Sequence, residues 1–237
     1  MKGKRLFINS LIILVAIFFA YKTLSYLRIQ VDEKKSMEAY SGLETQAFSK
    51  GPGSQDGGLD LTKLRAVNPD IFAWIRSQDG AIDYPLVRGG DNDRYLHTGA
   101  NGERNALGAI FMDYRNGSLE DPFILIYGHM MKNDLMFGSL KSFKTQPRSL
   151  EFYLDTGEKT IKTRAVLAGI LSGQTILDPR DFSTYEKRLD FYRRLQKEAV
   201  YDPGYDLQPQ DQIINLVTCT YERANVRLFV LTVVEKA

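Results

Sequence analysis

The stretch that most limits how this chain can fold lies near its C-terminus. Ile213-Ile214-Asn215-Leu216-Val217-Thr218-Cys219 and Leu228-Phe229-Val230-Leu231-Thr232-Val233-Val234 are two apolar, β-branched runs with the length and composition of buried strands. Thr220 to Val226, between Cys219 and Arg227, are polar enough to form a connecting loop. Paired as a hairpin, the runs put Cys219 at the end of one strand and Arg227 at the start of its neighbour. A thiol and a guanidinium then stand side by side at the rim of a sheet, and the other strands must build a core around that pair.

Cys219 is the chain's single cysteine. A free thiol most often serves as a small buried hydrophobe. Its place at a strand end, an arginine within reach and a histidine elsewhere favour the other reading, a nucleophile with an acid–base partner. Two histidines are available. His129 directly follows the apolar run Phe123-Ile124-Leu125-Ile126-Tyr127-Gly128, while His97 sits in the turn-like Tyr95-Leu96-His97-Thr98-Gly99. Strand ends at sheet rims collect catalytic side chains, so the order of the chain favours His129. One cysteine and two histidines rule out zinc-finger spacing, so no Cys/His metal site is expected.

The N-terminus carries a second signal. Lys2, Lys4 and Arg5 precede Leu6-Phe7-Ile8 and the run Leu11 to Tyr21, which is long enough to span a bilayer if it continues through Leu24 and Leu27. A cleaved signal peptide is the competing reading, but Phe18-Phe19-Ala20 puts a bulky residue where a small one is wanted. We therefore expect an uncleaved signal-anchor over residues 1–28. The basic cluster places the N-terminus in the cytoplasm and the remainder outside the cell. Residues 29–58 read as a stalk with loose helical periodicity, followed by the Gly-rich linker Gly51 to Gly58. The folded domain is expected over 59–237, and a composition of 43% hydrophobic and 25% charged residues suits one sizeable core there. A net charge of +2 argues neither for nor against nucleic acid, and none is expected as a partner.

Within that domain, short β-rich runs alternate with turns such as Gln78-Asp79-Gly80, Asn116-Gly117-Ser118 and Asp155-Thr156-Gly157. One amphipathic helix is expected at 181–200, where Phe182, Tyr185, Leu189, Tyr192, Leu195 and Ala199 fall at core spacing. The fold class is mainly β with helices: a closed antiparallel β-barrel with an N-terminal helix and that late inserted helix.

Several of these stretches resemble one family. Asn215-Leu216-Val217-Thr218-Cys219 is similar to the Thr-Leu-x-Thr-Cys signature of sortases, the cysteine transpeptidases of Gram-positive bacteria, with Arg227 where their arginine follows. Tyr127-Gly128-His129 with Met136-Phe137-Gly138-Ser139-Leu140 resembles their histidine region. Asn68-Pro69-Asp70, Trp74-Ile75, Ile82 to Val87 and Asp91 to Leu96 are similar to class B in particular, as is the helix at 181–200. Two positions depart: Asn215 replaces the leading threonine, and Val217 stands where class B members often carry serine.

The resemblance implies Cys219, His129 and Arg227 as catalytic residues and Asn92, Leu96 and Thr218 as substrate-binding ones, although Asn92 and Leu96 read equally well as a capped turn and its apolar plug. It implies acyl transfer with no cofactor; calcium dependence occurs in some sortases, but no dense carboxylate cluster argues for a site here, so no metal is expected. Its partners would be secreted proteins with a C-terminal sorting signal and a peptidoglycan precursor or other amine acceptor, with the membrane held through residues 6–27. A pilin-polymerising sortase and an exported cysteine peptidase that only hydrolyses remain open alternatives.

Overall fold

The computed structural model describes residues 2–48, 58–131, 133–146, 149–220 and 225–235; the side chains of residues 2–6, 8, 10, 29, 219 and 220 lie outside that description. The strands are β1 (Ile71–Ser77), β2 (Asp83–Val87), β3 (Ile110–Met112), β4 (Phe123–Tyr127), β5 (Glu151–Asp155), β6 (Thr160–Ser172), β7 (Ala199–Tyr201), β8 (Ile213–Thr220) and β9 (Val226–Val234). They hydrogen-bond in the order β5-β1-β2-β3-β4-β8-β9-β6, and a β5–β6 ladder closes the ring into an eight-stranded barrel. β7 adds to β6 outside the ring.

The closed barrel is as expected, but its pairing is antiparallel at only part of the circumference. β2–β3 and β4–β8 are parallel. Parallel neighbours need a crossover instead of a tight turn. The crossover from β2 to β3, residues 88–109, carries Asn92, Leu96 and His97 over one end of the barrel.

The continuous apolar runs at the C-terminus have a plain cause, since β8 and β9 are buried on both faces. Ile214, Leu216, Leu228 and Val230 belong to the barrel core. Ile213, Val217, Phe229, Leu231 and Val233 belong to a second core outside the ring. That outer core is covered by a helix. The chain carries α1 (Lys2–Ala47), α2 (Leu61–Val67), the single turn α3 (Ser142–Thr145) and α4 (Tyr185–Gln196), and α4 presents Phe191, Tyr192 and Leu195 to the outer face. α4 is shorter than the expected 181–200. The Thr184 hydroxyl caps it by accepting from the Lys187 N–H, a 3-10 turn (Pro179–Phe182) precedes it, and the chain then straightens into β7.

The stretch read as a stalk is helical but does not stand clear of the barrel. Ser36, Tyr40, Leu43 and Ala47, spaced by four, three and four residues, are buried along one face of α1, and Phe48 follows them. The Phe48 ring meets Trp74 edge-on at 5.3 Å, and the Asp60 N–H donates to the Ala47 carbonyl at 2.9 Å. Burying a large apolar side chain is worth about 1.5–3 kcal/mol, so a unit beginning at Leu59 would lose several such contributions and expose the surface beneath them. Most of the linker, residues 51–57, lies outside the described residues. The N-terminal half of α1 differs. Over Leu11–Ala47 its most apolar window has mean hydropathy 1.7 and none of that window is buried, and it is the one helix among the described residues long and apolar enough to cross a membrane.

Candidate active site

The site forms where the β2–β3 crossover meets the ends of β4, β8 and β9. His129 leaves β4 two residues after Tyr127. The Gly128 N–H prolongs the β4–β8 ladder by donating to the Val217 carbonyl at 3.2 Å. Position 128 must be glycine, because a Cβ there would stand 2.7 Å from the Phe137 ring. His129 is half-buried, and its Nε2 lies 2.7 Å from the Leu96 carbonyl oxygen. A carbonyl only accepts, so Nε2 carries the hydrogen and Nδ1 is the nitrogen left free for proton exchange. The histidine carbonyl accepts from the Phe137 N–H at 3.0 Å.

Arg227 enters from β9, directly opposite Cys219 in the antiparallel ladder. The Cys219 side chain lies outside the described residues, so its place is given by that register alone. Arg227, His129, Thr218, Asn92 and Leu96 line one cavity of about 280 Å³. Every expected site residue with a described side chain is therefore in a single groove. The Thr218 hydroxyl is buried and has no hydrogen-bond partner among the described residues. His97 lies outside the groove. Its ring centroid is 6.5 Å from that of His129, yet it lines a separate cavity between α1 and residues 101–106.

No family model matches the chain. Sortase B of Listeria monocytogenes is 31% identical over 181 residues, covering 69% of this chain and 68% of that protein. The chain belongs to the class B sortases. Its barrel agrees with solved members of that class: B. anthracis sortase B superposes with TM-score 0.73 at 28% identity, covering 86% of this chain and 97% of the other. Clostridium perfringens sortase B gives 0.68 at 29%, covering 75% and 100%. Sortases are cysteine transpeptidases, which places this chain among enzymes of acyl transfer.

Sequence reasoning missed the polar support behind this sortase groove. Asp113, fully buried just beyond β3, accepts from Arg115 through both carboxylate oxygens, at 2.8 and 2.7 Å. Its Oδ2 also accepts from the Asn92 amide at 2.9 Å and from the Tyr127 hydroxyl at 3.1 Å. Burial alone would raise the Asp113 pKa, but the hydrogen bonds from Arg115 and Asn92 outweigh it and hold the carboxyl below its ordinary value. Burial, aided by Asp113, pushes the Tyr127 phenol up, so it remains a neutral donor.

Arg115 also donates to the Leu177 carbonyl at 2.8 Å and faces Asp178 at 3.4 Å, tying the segment after β6 to the groove wall. Asn92 is committed at both ends of its amide, since its Oδ1 accepts from the Tyr114 N–H at 3.2 Å. The nearest sequence signal was Asp113 two residues before Arg115 in a turn, where the Arg115 N–H also donates to Asp113 Oδ1 at 3.0 Å. Among the described residues no group of three His, Cys, Asp or Glu side chains could hold a metal ion.

Proposed function

We propose that this chain is a membrane-anchored cysteine transpeptidase that cleaves a sorting motif after its threonine and joins the new acyl group to a cell-wall amine. The observation that carries the reading is the convergence of His129 and Arg227 on one groove, with Arg227 ladder-paired to Cys219. Ladder partners share a face of the sheet, so position 219 faces the same way as the guanidinium.

Such a neighbouring cation favours thiolate over thiol. The Cys219 thiolate attacks the threonine carbonyl, and its sulfur–carbon bond forms as the carbonyl oxygen takes negative charge. Arg227, charged at any working pH, donates to that oxygen. Collapse expels the amine of the following residue, which takes from His129 Nδ1 the proton that the Cys219 thiol gave up to it, while Nε2 stays bound to Leu96. The incoming amine then attacks the thioester, gives its proton to the neutral imidazole, and releases Cys219. Thr218 lines the groove, and its buried hydroxyl, with no partner among the described residues, would be reached by the peptide once the wall gives way to it. Leu96 supplies an apolar wall. Asn92 acts by holding Asp113 and the Tyr114 backbone, which supports the groove more than it supplies a free contact.

The exposed apolar half of α1 supports a single-pass anchor, and Lys2, Lys4 and Arg5 support a cytoplasmic N-terminus with the barrel outside the cell.

The test uses the full chain in detergent with fluorogenic peptides of the Asn-Pro-x-Thr-x and Pro-Pro-x-Thr-Gly types. Each is run with and without glycine-like and diamino-acid nucleophiles, beside Cys219→Ala. Cleavage after threonine that vanishes in Cys219→Ala, with amine-linked product, is expected. Cleavage that persists in Cys219→Ala would refute the thiol mechanism. Cleavage with water as the sole acceptor would make the chain a hydrolase.

A further inference from the structure

The mechanism leaves the docked half of α1 unused, yet two separate lines of contact lead from Tyr40 to His129. One runs through the β2–β3 crossover. The buried Tyr40 hydroxyl donates to the Gly108 carbonyl and accepts from the Ala100 N–H at 3.3 Å, which pins both ends of the segment following His97. Gly108 has φ +61°, and a Cβ there would stand 2.8 Å from the Leu96 oxygen and 3.0 Å from His129 Cδ2. That Leu96 oxygen is the acceptor that holds His129 Nε2. The Ala109 N–H adds a bond to the Tyr95 carbonyl at 2.9 Å, so the crossover is closed on itself around this point.

The other line runs through the barrel wall. The Tyr40 ring meets Tyr84 edge-on at 5.4 Å, and the Tyr84 hydroxyl accepts from the Met136 N–H at 3.2 Å. The next residue, Phe137, donates its N–H to the His129 carbonyl and packs its ring on Gly128. Tyr40 thus bears on the imidazole through Leu96 and on the histidine backbone through Met136 and Phe137. Burial pushes its phenol far up, so the hydroxyl stays a neutral donor across any working pH.

We propose that α1 is part of the active-site framework, with Tyr40 as a positioning residue that seats the His129 ring and fixes its tautomer. The idea rests on His129 being the acid–base group of the proposed transpeptidation. It gives the helix a second task. The helix that carries the proposed anchor also holds the proton-transfer residue in place, so undocking α1 would switch the enzyme down by unseating His129 in the groove wall.

The test is Tyr40→Phe in the full chain in detergent. This variant keeps the ring on Tyr84 and removes the two hydroxyl bonds. Leu43→Ala on the same buried face is the control, as it loses packing but keeps the hydroxyl. With two histidines in the chain, histidine labelled with 15N gives two imidazole patterns, and His97→Gln assigns them. In the parent chain His129 should show one tautomer, protonated at Nε2. In Tyr40→Phe it should show mixed tautomers, and kcat per titrated active thiol should fall about tenfold with KM nearly unchanged, as expected for a displaced acid–base group. In Leu43→Ala the tautomer and kcat per active thiol should match the parent even as thermal stability drops. An unchanged His129 pattern in Tyr40→Phe, or the same change in Leu43→Ala, would overturn the proposal. The imidazole pattern reports on the seat of His129 even if no peptide is cleaved, a result that would instead sink the transpeptidase reading.

Discussion

Arg115→Met is the most demanding test of the groove's support. The substitution keeps much of the side-chain volume and removes the cation from a carboxylate that is fully buried, with Arg115 itself only 15% exposed. Asp113 would keep its bonds from Asn92 and Tyr127 but lose both from the guanidinium. Breaking such a pair strands a buried charge and costs about 3–5 kcal/mol. The contact with Asp178 adds little, because it sits nearer the surface.

The pH dependence fixes the sign. In the parent chain the Asp113 pKa lies below the ordinary carboxyl value of 3.8. Its contribution to stability is therefore present above that value and is lost as pH falls through the lower folded value. Without the guanidinium, burial is opposed by fewer hydrogen bonds, so the folded pKa should move up. The variant's deficit should then be largest at neutral pH and shrink in acid, where the carboxyl takes a proton. Urea unfolding of the full chain in mild detergent, followed by the fluorescence of the buried Trp74, measures this directly. A double variant with Asp113→Asn should be less unstable than the two single losses added together, by about 1–3 kcal/mol. A deficit under about 1 kcal/mol, equal deficits at pH 7 and pH 4.5, or strict additivity would refute the reasoning.

Two smaller predictions concern β8. Asn215 is fully buried with neither amide atom hydrogen-bonded among the described residues, and its ladder neighbours Leu125 and Leu231 lie in the outer core. Asn215→Val should therefore raise unfolding stability by about 1–3 kcal/mol, and a loss of stability would mean that the amide has a partner. Thr218→Val removes a buried hydroxyl that has no partner among the described residues, so the urea midpoint should hold or rise. If that hydroxyl bonds the peptide, kcat/KM should fall about tenfold, the worth of one hydrogen bond; unchanged kcat/KM would remove Thr218 from the groove's working contacts.

What could be read from the sequence, and what could not, follows from the range of the interactions. β8 and β9 were legible because burial on both faces writes a continuous apolar run into each strand. The opposition of Cys219 and Arg227 follows from where those runs stop. The parallel seams were hidden, because a strand's composition records its burial and not the direction of its neighbour. The docking of α1 was hidden for a related reason. Its buried face is narrow, begins with Ser36 and lies among Lys34, Lys35 and Glu38, so the periodicity resembles that of a solvated stalk.

The Asp113 network was hardest to see. Its members come from the β2–β3 crossover, the end of β3, the end of β4 and the segment after β6, and charged residues in turns look alike whether solvated or buried. A buried carboxylate is tolerated only when enough donors reach it at once. Asp113 is therefore stable only after four distant parts of the chain have met, and the same meeting shapes the groove. That makes the support network a sharper reporter of a correctly closed site than the strand-end residues, whose neighbours are set by the ladder alone.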